Sequence, residues 1–386
     1  MRNGTISLIS VAALAVLATI PLGAAAQFNT RALDEPFKGI TTDGNVVPGL
    51  FAVRSTGVST EPVAAAARAF LAALSAEQRS KTTFAVDDGE WRHWVNMHRF
   101  ARRGVSFDEM NESQRAAARA LLAAGLSAKG LTLSLDIMKL NETLAELNDN
   151  NFEEYGEGKY FLTVMGEPSA TEPWGWQLDG HHLIVNYFVL RDQVVMTPSF
   201  WGSEPAVATS GKYAGTRIMV EEQNAGLAMV RSLTEQQRAR AVLKATKTGN
   251  DIRAQAFGDN AVIGYAGAPV SSFTPAQGEQ LLDLVELYIG NLSDGHARVH
   301  MADVEARLDE TYFAWVGETK DDSVYYYRIH SPVVLIEFDH QTPVGLTHLY
   351  PRGVPYREHI HAVVRTPNGN DYGKDLLRQH LERVRH

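Results

Sequence analysis

Residues Tyr160–Phe188 read YFLTVMGEPSATEPWGWQLDGHHLIVNYF, and residues Tyr312–Asp339 read YFAWVGETKDDSVYYYRIHSPVVLIEFD. From Gly166 onward they align without a gap, Gly166 meeting Gly317 at a shift of 151. Trp174 and Trp176 then meet Tyr325 and Tyr327, and Leu183-Ile184-Val185 meets Val334-Leu335-Ile336. A self-match at a fixed period marks duplicated supersecondary units. Upstream, Leu74–Arg79 resembles Leu233–Arg238, and Gly104–Gln114 resembles Ser272–Gln277; in both pairs Ser, Thr or Asn is followed three residues on by Gln, the signature of a helix start.

The expected fold class is therefore α+β: a tandem duplication of helices followed by a three-stranded antiparallel meander, with the two units related by a pseudo-twofold. Strands are expected at Tyr160–Met165, Trp174–Leu178 and Leu183–Leu190, with Asp179-Gly180 as a hairpin turn, and again at Tyr312–Val316, Val324–Ile329 and Val333–Phe338. Helices are expected at Val63–Leu74, Ser113–Leu126, Met138–Leu147, Ala225–Lys244 and Gln277–Tyr288. The chain divides into an irregular leader (27–53), a first unit (54–205), and a second unit (212–386) that ends in a His-x-His strand and a helix. The two units can equally merge into one globular domain.

Met1–Ala26 has the layout of a secretory signal peptide: Arg2, an apolar run from Ile6 to Leu22, then Ala24-Ala25-Ala26. This implies export to the periplasm or exterior, with no stable membrane span after cleavage, since no later segment is apolar over the length a bilayer requires. The chain has no cysteine, which removes disulfides, thiolate nucleophiles and cysteine-ligated metals. A net charge of −9 argues against a general nucleic-acid binder. Catalytic signatures of the GxSxG, P-loop, GxGxxG and HExxH kinds are absent. Cleavage after Ala26 would expose Gln27, which excludes a copper site built on an N-terminal histidine.

The chemistry concentrates on histidines. In Glu358-His359-Ile360-His361 the two imidazoles share a strand face, because residues two apart point the same way. His181-His182 precedes another apolar strand, and only one of the pair can join a given site; parity favours His182, on the face of Ile184, Asn186 and Phe188. The aligned face of the second unit carries Val333, Leu335, Glu337 and Asp339. A carboxylate inside an apolar strand needs a partner, so Glu337 is a candidate ligand or general base. His182, His359 and His361, with His181 as the alternative to His182, would form a three-histidine site for a divalent metal such as zinc, with one position open for water. Arg365 and Asp371 flank the His359–His361 strand as candidates for substrate binding or for orienting a histidine. Each feature also has a plainer reading, in which the histidines satisfy backbone carbonyls and the polar turn supplies unusual backbone angles. Weaker candidates are Ser203 as a nucleophile, Glu221-Glu222 at a helix start, and paired carboxylates at Glu337 and Asp339.

The stretches Gln177–Leu183, Thr197-Pro198 with Trp201-Gly202, Tyr326–Ile329, Leu335–Asp339, His359–His361 and Asp371–Leu377 together resemble a largely bacterial family known as domain of unknown function 3500. That resemblance groups these residues and implies no substrate. The functional expectation is a secreted or periplasmic metal-dependent enzyme, most plausibly a hydrolase acting on a small molecule or carbohydrate. The alternative is a non-catalytic extracytoplasmic binding protein whose cleft is lined by Trp174, Trp176, Trp201, Tyr325, Tyr326 and Tyr327.

Overall fold

The computed structural model describes Met1 and residues 30–384, so the signal-peptide segment lies outside the described residues. Helices α1 (Glu61–Ala73), α2 (Ala76–Thr82), α3 (Glu112–Gly125) and α4 (Ala128–Leu147) precede the first meander. Helices α5 (Val220–Ser232), α6 (Glu235–Ala241), α7 (Pro275–Ile289) and α8 (Asp294–Glu305) precede the second, and α9 (Lys374–Val384) follows. Four of these begin with reciprocal capping boxes: Ser75 with Gln78, Asn111 with Gln114, Thr234 with Gln237, and Thr274 with Gln277. The capping glutamines also hold each other. Gln114 donates to Gln78 at 2.8 Å and to Ala73 O at 3.0 Å; Gln277 donates to Gln237 at 3.1 Å and to Ser232 O at 2.7 Å. A cap thereby becomes a clamp between consecutive helices.

The first half contributes strands β1 (Thr83–Phe84), β2 (Val105–Ser106), β3 (Tyr160–Met165), β4 (Trp174–Gly180), β5 (Leu183–Leu190), β6 (Gln193–Val195) and β7 (Ser199–Ser203). The second contributes β8 (Val242–Lys244), β9 (Ala268–Pro269), β10 (Tyr312–Gly317), β11 (Tyr325–His330), β12 (Leu335–His340) and β13 (Ile360–Arg365). They form one mixed sheet in the order β1-β3-β4-β5-β7-β13-β12-β11-β10-β8, with β2 on β3, β6 on β5 and β9 on β10. The α+β class is thus observed, with both meanders in a single continuous sheet joined where β7 pairs antiparallel with β13.

Both faces of the sheet are covered. On one, Trp174, Trp176, Leu183, Val185, Trp201, Tyr325, Tyr327 and Phe338 pack in the main core with residues of α1, α3, α4, α5 and α7. On the other, Ile184, Phe188, Phe200, Leu335 and Val363 pack with Trp91, Trp94, Ala254 and Tyr372. Two-sided burial explains why β5 reads as a nearly unbroken apolar run rather than as an alternating strand. It also corrects the aromatic-cleft expectation. Trp174, Trp176, Trp201, Tyr325 and Tyr327 are sealed in the helix-side core, while buried Tyr326 faces the other way and donates to Glu337 at 2.6 Å.

Three local expectations shift. Gly180 pairs with Leu183, so the hairpin turn is His181-His182 rather than Asp179-Gly180. The segment 225–244 is two helices and a short strand, broken at the Thr234 cap. Helix α4 starts ten residues before the expected Met138, where Ser127 accepts the amide of Gly130 at 3.0 Å.

Candidate metal centre

Two backbone features bring the histidines together. The His181-His182 turn places His182 at φ 62°, in the left-handed region that non-glycine residues occupy uncommonly and at an energetic cost. Its amide donates to Asn96 O at 3.2 Å, and Tyr160 braces the turn by donating to His181 O at 3.0 Å. The second feature is Gly202. Strand β7 lies between β5 and β13, so the His182 hairpin and the His361 strand are not neighbours in the sheet. Gly202 pairs with His361, and Leu183 pairs with Trp201, which sets Gly202 between the two histidines. Having no side chain, it leaves the space above β7 to the imidazoles, and a Cβ there would lie 2.3 Å from Ile360 O.

The result is a triangle of ring nitrogens. His182 Nε2 lies 3.2 Å from His359 Nε2 and 3.0 Å from His361 Nε2, and the last two are 3.0 Å apart. The three side chains are buried, their residues 2–7 % exposed. Among the described residues this is the group of three whose ligand atoms could hold a metal ion. Burial lowers the pKa of all three, and for His182 and His361 the neighbouring histidines add to the effect. The neutral, ligand-competent form is therefore favoured.

Hydrogen bonding alone cannot satisfy such a triangle. Each Nε2 is a donor or an acceptor, never both, so among three mutually adjacent atoms at least one pair must be alike. For His359 the role is set: its Nδ1 lies 2.8 Å from Thr342 O, which holds the proton there and leaves the Nε2 lone pair pointing inward. His361 Nδ1 is buried and has no hydrogen-bond partner. A divalent ion bound by the three Nε2 atoms would resolve the conflict. The corners of this triangle lie about 1.8 Å from its centre, close to the ~2.0–2.1 Å zinc–nitrogen distance, so His182, His359 and His361 could together hold such an ion.

The surrounding groups separate into those that support the trio and those engaged elsewhere. Glu204, buried, lies 3.8 Å from His359 Nδ1. It accepts the amides of Val344, Gly345 and Leu346 and the Tyr356 hydroxyl, anchoring the loop that ends in His359. Sequence reasoning missed it; a glutamate directly after the buried β7 strand was the available signal. His181 stacks on His182 with ring centres 3.9 Å apart, but its Nδ1 pairs with Asn141 Oδ1 at 2.8 Å and its ring is not part of the triangle. Glu337 accepts from Arg253 N, Ala254 N and the Tyr326 hydroxyl at 2.6–2.9 Å, so it fastens the 251–254 segment to the sheet. Arg365 bonds Asp259, Asp371 and Ala254 O, and Asp259 also receives Arg92. Arg92 in turn holds the carbonyls of Leu33 and Glu35 in the leader. Glu337, Arg365 and Asp371 therefore serve buried networks that tie the leader and loops to the sheet, away from the triangle. Asn186, the polar counterpart of Glu337, is likewise satisfied, by Gln177 and Pro198 O.

A cleft of about 390 Å³ reaches His181, whose ring stacks on His182, and is lined by His98, Arg99, Arg102, Asn141 and Lys159 among others. His98 Nε2 lies 2.7 Å from Glu154, and the His98 ring is 5.2 Å from that of His181.

Neither the curated proteins nor the solved structures contain a match to this chain. The model of one family, described as protein of unknown function (DUF3500), matches residues 56–374, a span that includes all three histidines, and the chain belongs to that family.

Proposed function

We propose that this protein is an exported metal-dependent hydrolase whose divalent ion is held by His182, His359 and His361. The observation that carries the reading is the convergence of three neutral Nε2 atoms at 3.0–3.2 Å, with the tautomer of His359 set by Thr342. An all-imidazole set suits zinc, copper, nickel or ferrous iron and disfavours magnesium and calcium, which take oxygen ligands. An ion so held, with an open position, would supply Lewis-acid activation of water or of a polarised carbonyl or phosphoryl group. The chain's own residues would shape the rest. Glu204 and Thr342 hold His359 in place, and the cleft at His98, Arg99 and Lys159 offers room and polar contacts to a small-molecule or carbohydrate substrate. Export rests on the Arg2, apolar run and Ala24–Ala26 pattern; cell fractionation with sequencing of the mature N-terminus, expected at Gln27, tests it.

A second reading, a non-catalytic extracytoplasmic binding protein, is favoured by the near-complete burial of the trio. Cobalt substitution separates the two. An accessible centre changes its visible spectrum when azide or thiocyanate is added; a sealed one does not. No response to either anion, with no hydrolysis of phosphoester, carboxylester or amide panels by metal-loaded protein, would overturn the enzymatic reading.

We further propose that the chain arose by tandem duplication with a pseudo-twofold axis near β7 and β13. Several observations support it. The sheet order reads alike from either end, and each outer short strand is parallel to its neighbour. At the shift of 151, the Gln177–Asn186 pairing recurs as Arg328–Glu337. The stacked pair Trp176–Tyr187 likewise recurs as Tyr327–Phe338, with ring centres 5.0 Å apart in both. The α3–α4 and α7–α8 junctions meet in an antiparallel bridge at Leu126 and Leu292. Superposition of residues 160–190 on 312–340 in an experimental structure tests it.

A further inference from the structure

The register of the sheet gives the histidine centre a counterpart in the other half. Strand β6 pairs with β5 so that Phe188 faces Val195 and Leu190 faces Gln193. In the second meander Asp339 faces His361, and Gln341 donates its amide to His359 O. Phe188 and Leu190 align with Asp339 and Gln341 at the shift of 151. Val195 therefore stands where His361 would, Gln193 where His359 would, and Val333 where His182 would. All three line one cavity of about 150 Å³, shared with Leu50, Phe51, Val299, His300 and Leu376.

We propose that this cavity is a second, metal-free ligand site, taking a compact neutral organic molecule of about one six-membered ring with a single hydrogen-bonding group presented to His300. The site lacks the donors that make its counterpart a metal centre. Gln193 spends its amide on the leader, donating to Ala52 O at 3.1 Å and accepting Arg54 N at 2.7 Å, while Val195 and Val333 offer only methyl groups. The size is set by the volume, comparable to that of an apolar cavity able to admit benzene. Neutrality is set by the lining charges, which are already paired: Arg54 meets Asp303 at 2.7 Å. Of the two lining histidines, His296 engages Ser293 and Asp192 O. The ring of His300 has no hydrogen-bond partner among the described residues, and burial lowers its pKa, which favours a neutral imidazole able to donate or accept one bond. The leader crosses the cavity as a strap held by side chains. Gln193, Gln379 and Asp192 bond the backbone of residues 51–57 in place of a strand ladder. Such a strap can part to admit a ligand without breaking the sheet.

The test uses full-length mature protein with phenol, benzene and benzoate as probes, followed by titration calorimetry and ligand-detected NMR, with and without bound zinc. Phenol should bind more tightly than benzene by about tenfold, the weight of one hydrogen bond near 1.4 kcal/mol. Benzoate, which carries a charge with no free partner in the cavity, should bind at least tenfold more weakly than phenol. His300→Leu should erase the preference for phenol over benzene. Val333→Phe and, independently, Val299→Phe should fill the cavity and abolish binding of both rings while zinc stoichiometry stays unchanged. Failure of all three probes to bind at millimolar concentration overturns the proposal, as does phenol binding that survives both filling substitutions. The expected result is the same with zinc absent, so the outcome is independent of the histidine centre.

Discussion

Replacing His361 with leucine should stabilise the metal-free protein and remove most of its response to zinc. Without metal, three imidazole nitrogens face one another at 3.0–3.2 Å in a buried pocket, and His361 Nδ1 has no partner. An unsatisfied buried polar atom costs about 1–3 kcal/mol, and leucine, of similar volume, removes it while keeping the contact with Phe200. For a chain of 386 residues the unfolding entropy near the midpoint is roughly 0.8 kcal/mol per kelvin, so the metal-free variant should melt about 1–4 °C above metal-free wild type. Zinc should favour wild type over the variant. Free zinc at 100 times its dissociation constant stabilises the folded state by about 2.7 kcal/mol, which raises the wild-type midpoint by about 3–4 °C. The variant, with two ligands left, should gain less than a third of that. Scanning calorimetry on chelator-treated and zinc-reconstituted samples of both proteins measures all four values. Equal zinc shifts in the two proteins, or a metal-free variant that melts below metal-free wild type, would refute the reasoning.

Four further outcomes follow from the same physics. Gly202→Ala should cost more than 2 kcal/mol in urea unfolding and weaken zinc binding at least tenfold, because its Cβ would meet Ile360 O at 2.3 Å; an unchanged midpoint counts against the close-approach argument. Glu204→Gln should weaken zinc binding by about 10–100-fold by loosening His359 and its loop, as read by competition with a chromophoric chelator; unchanged affinity would deny Glu204 that role. His330 is buried with both ring nitrogens unpaired, and burial, helped by Arg328, pushes its pKa down to about 3. The unfolded chain then binds the proton first, so this contribution to stability is complete above pH 6.5 and is lost as pH falls towards 3, at about 1.4 kcal/mol per pH unit. His330→Leu should accordingly lose about 2 kcal/mol less than wild type between pH 7.5 and pH 5 in urea unfolding, and identical pH dependences would contradict the reading. Finally, Gln193→His, Val195→His and Val333→His combined should raise zinc stoichiometry from one to two per chain, whereas a value that stays at one would limit the duplication to the backbone.

Much of the site was legible because strand parity is a local rule. Spacing two rightly grouped His359 with His361, and His182 rather than His181 is the one that reaches them, although it does so from the turn before β5 rather than from the strand. The helix starts at Ser75, Asn111, Thr234 and Thr274 were equally readable, since a cap and its answering glutamine are three residues apart. What stayed hidden depends on long-range pairing. Nothing local to His182 or His361 shows that β7 lies between them, or that Gly202 is the gap through which they meet. Glu337, Arg365 and Asp371 looked catalytic because a charge among apolar residues demands a partner. The partners of Glu337 and Arg365, the amides of 253–254 and Asp259, lie on segments whose approach only the folded chain reveals, while Asp371 is held locally by Thr366 and Arg365. The same holds for Glu204, whose donors are more than a hundred residues away. Helix α8, absent from the reading of the sequence, carries a weak apolar stripe with buried residues only at His296, Ala297 and Val304.

The central claim, one transition-metal ion on three histidines, is tested most directly by equilibrium dialysis of the metal-free protein against zinc, with metal and protein quantified on the same samples. Wild type should bind one zinc per chain with sub-micromolar affinity, and His182→Ala, His359→Ala and His361→Ala should each bind none at the same free concentration while keeping the wild-type circular dichroism spectrum. No bound zinc in wild type, or a stoichiometry that survives loss of any one of the three imidazoles, would contradict it.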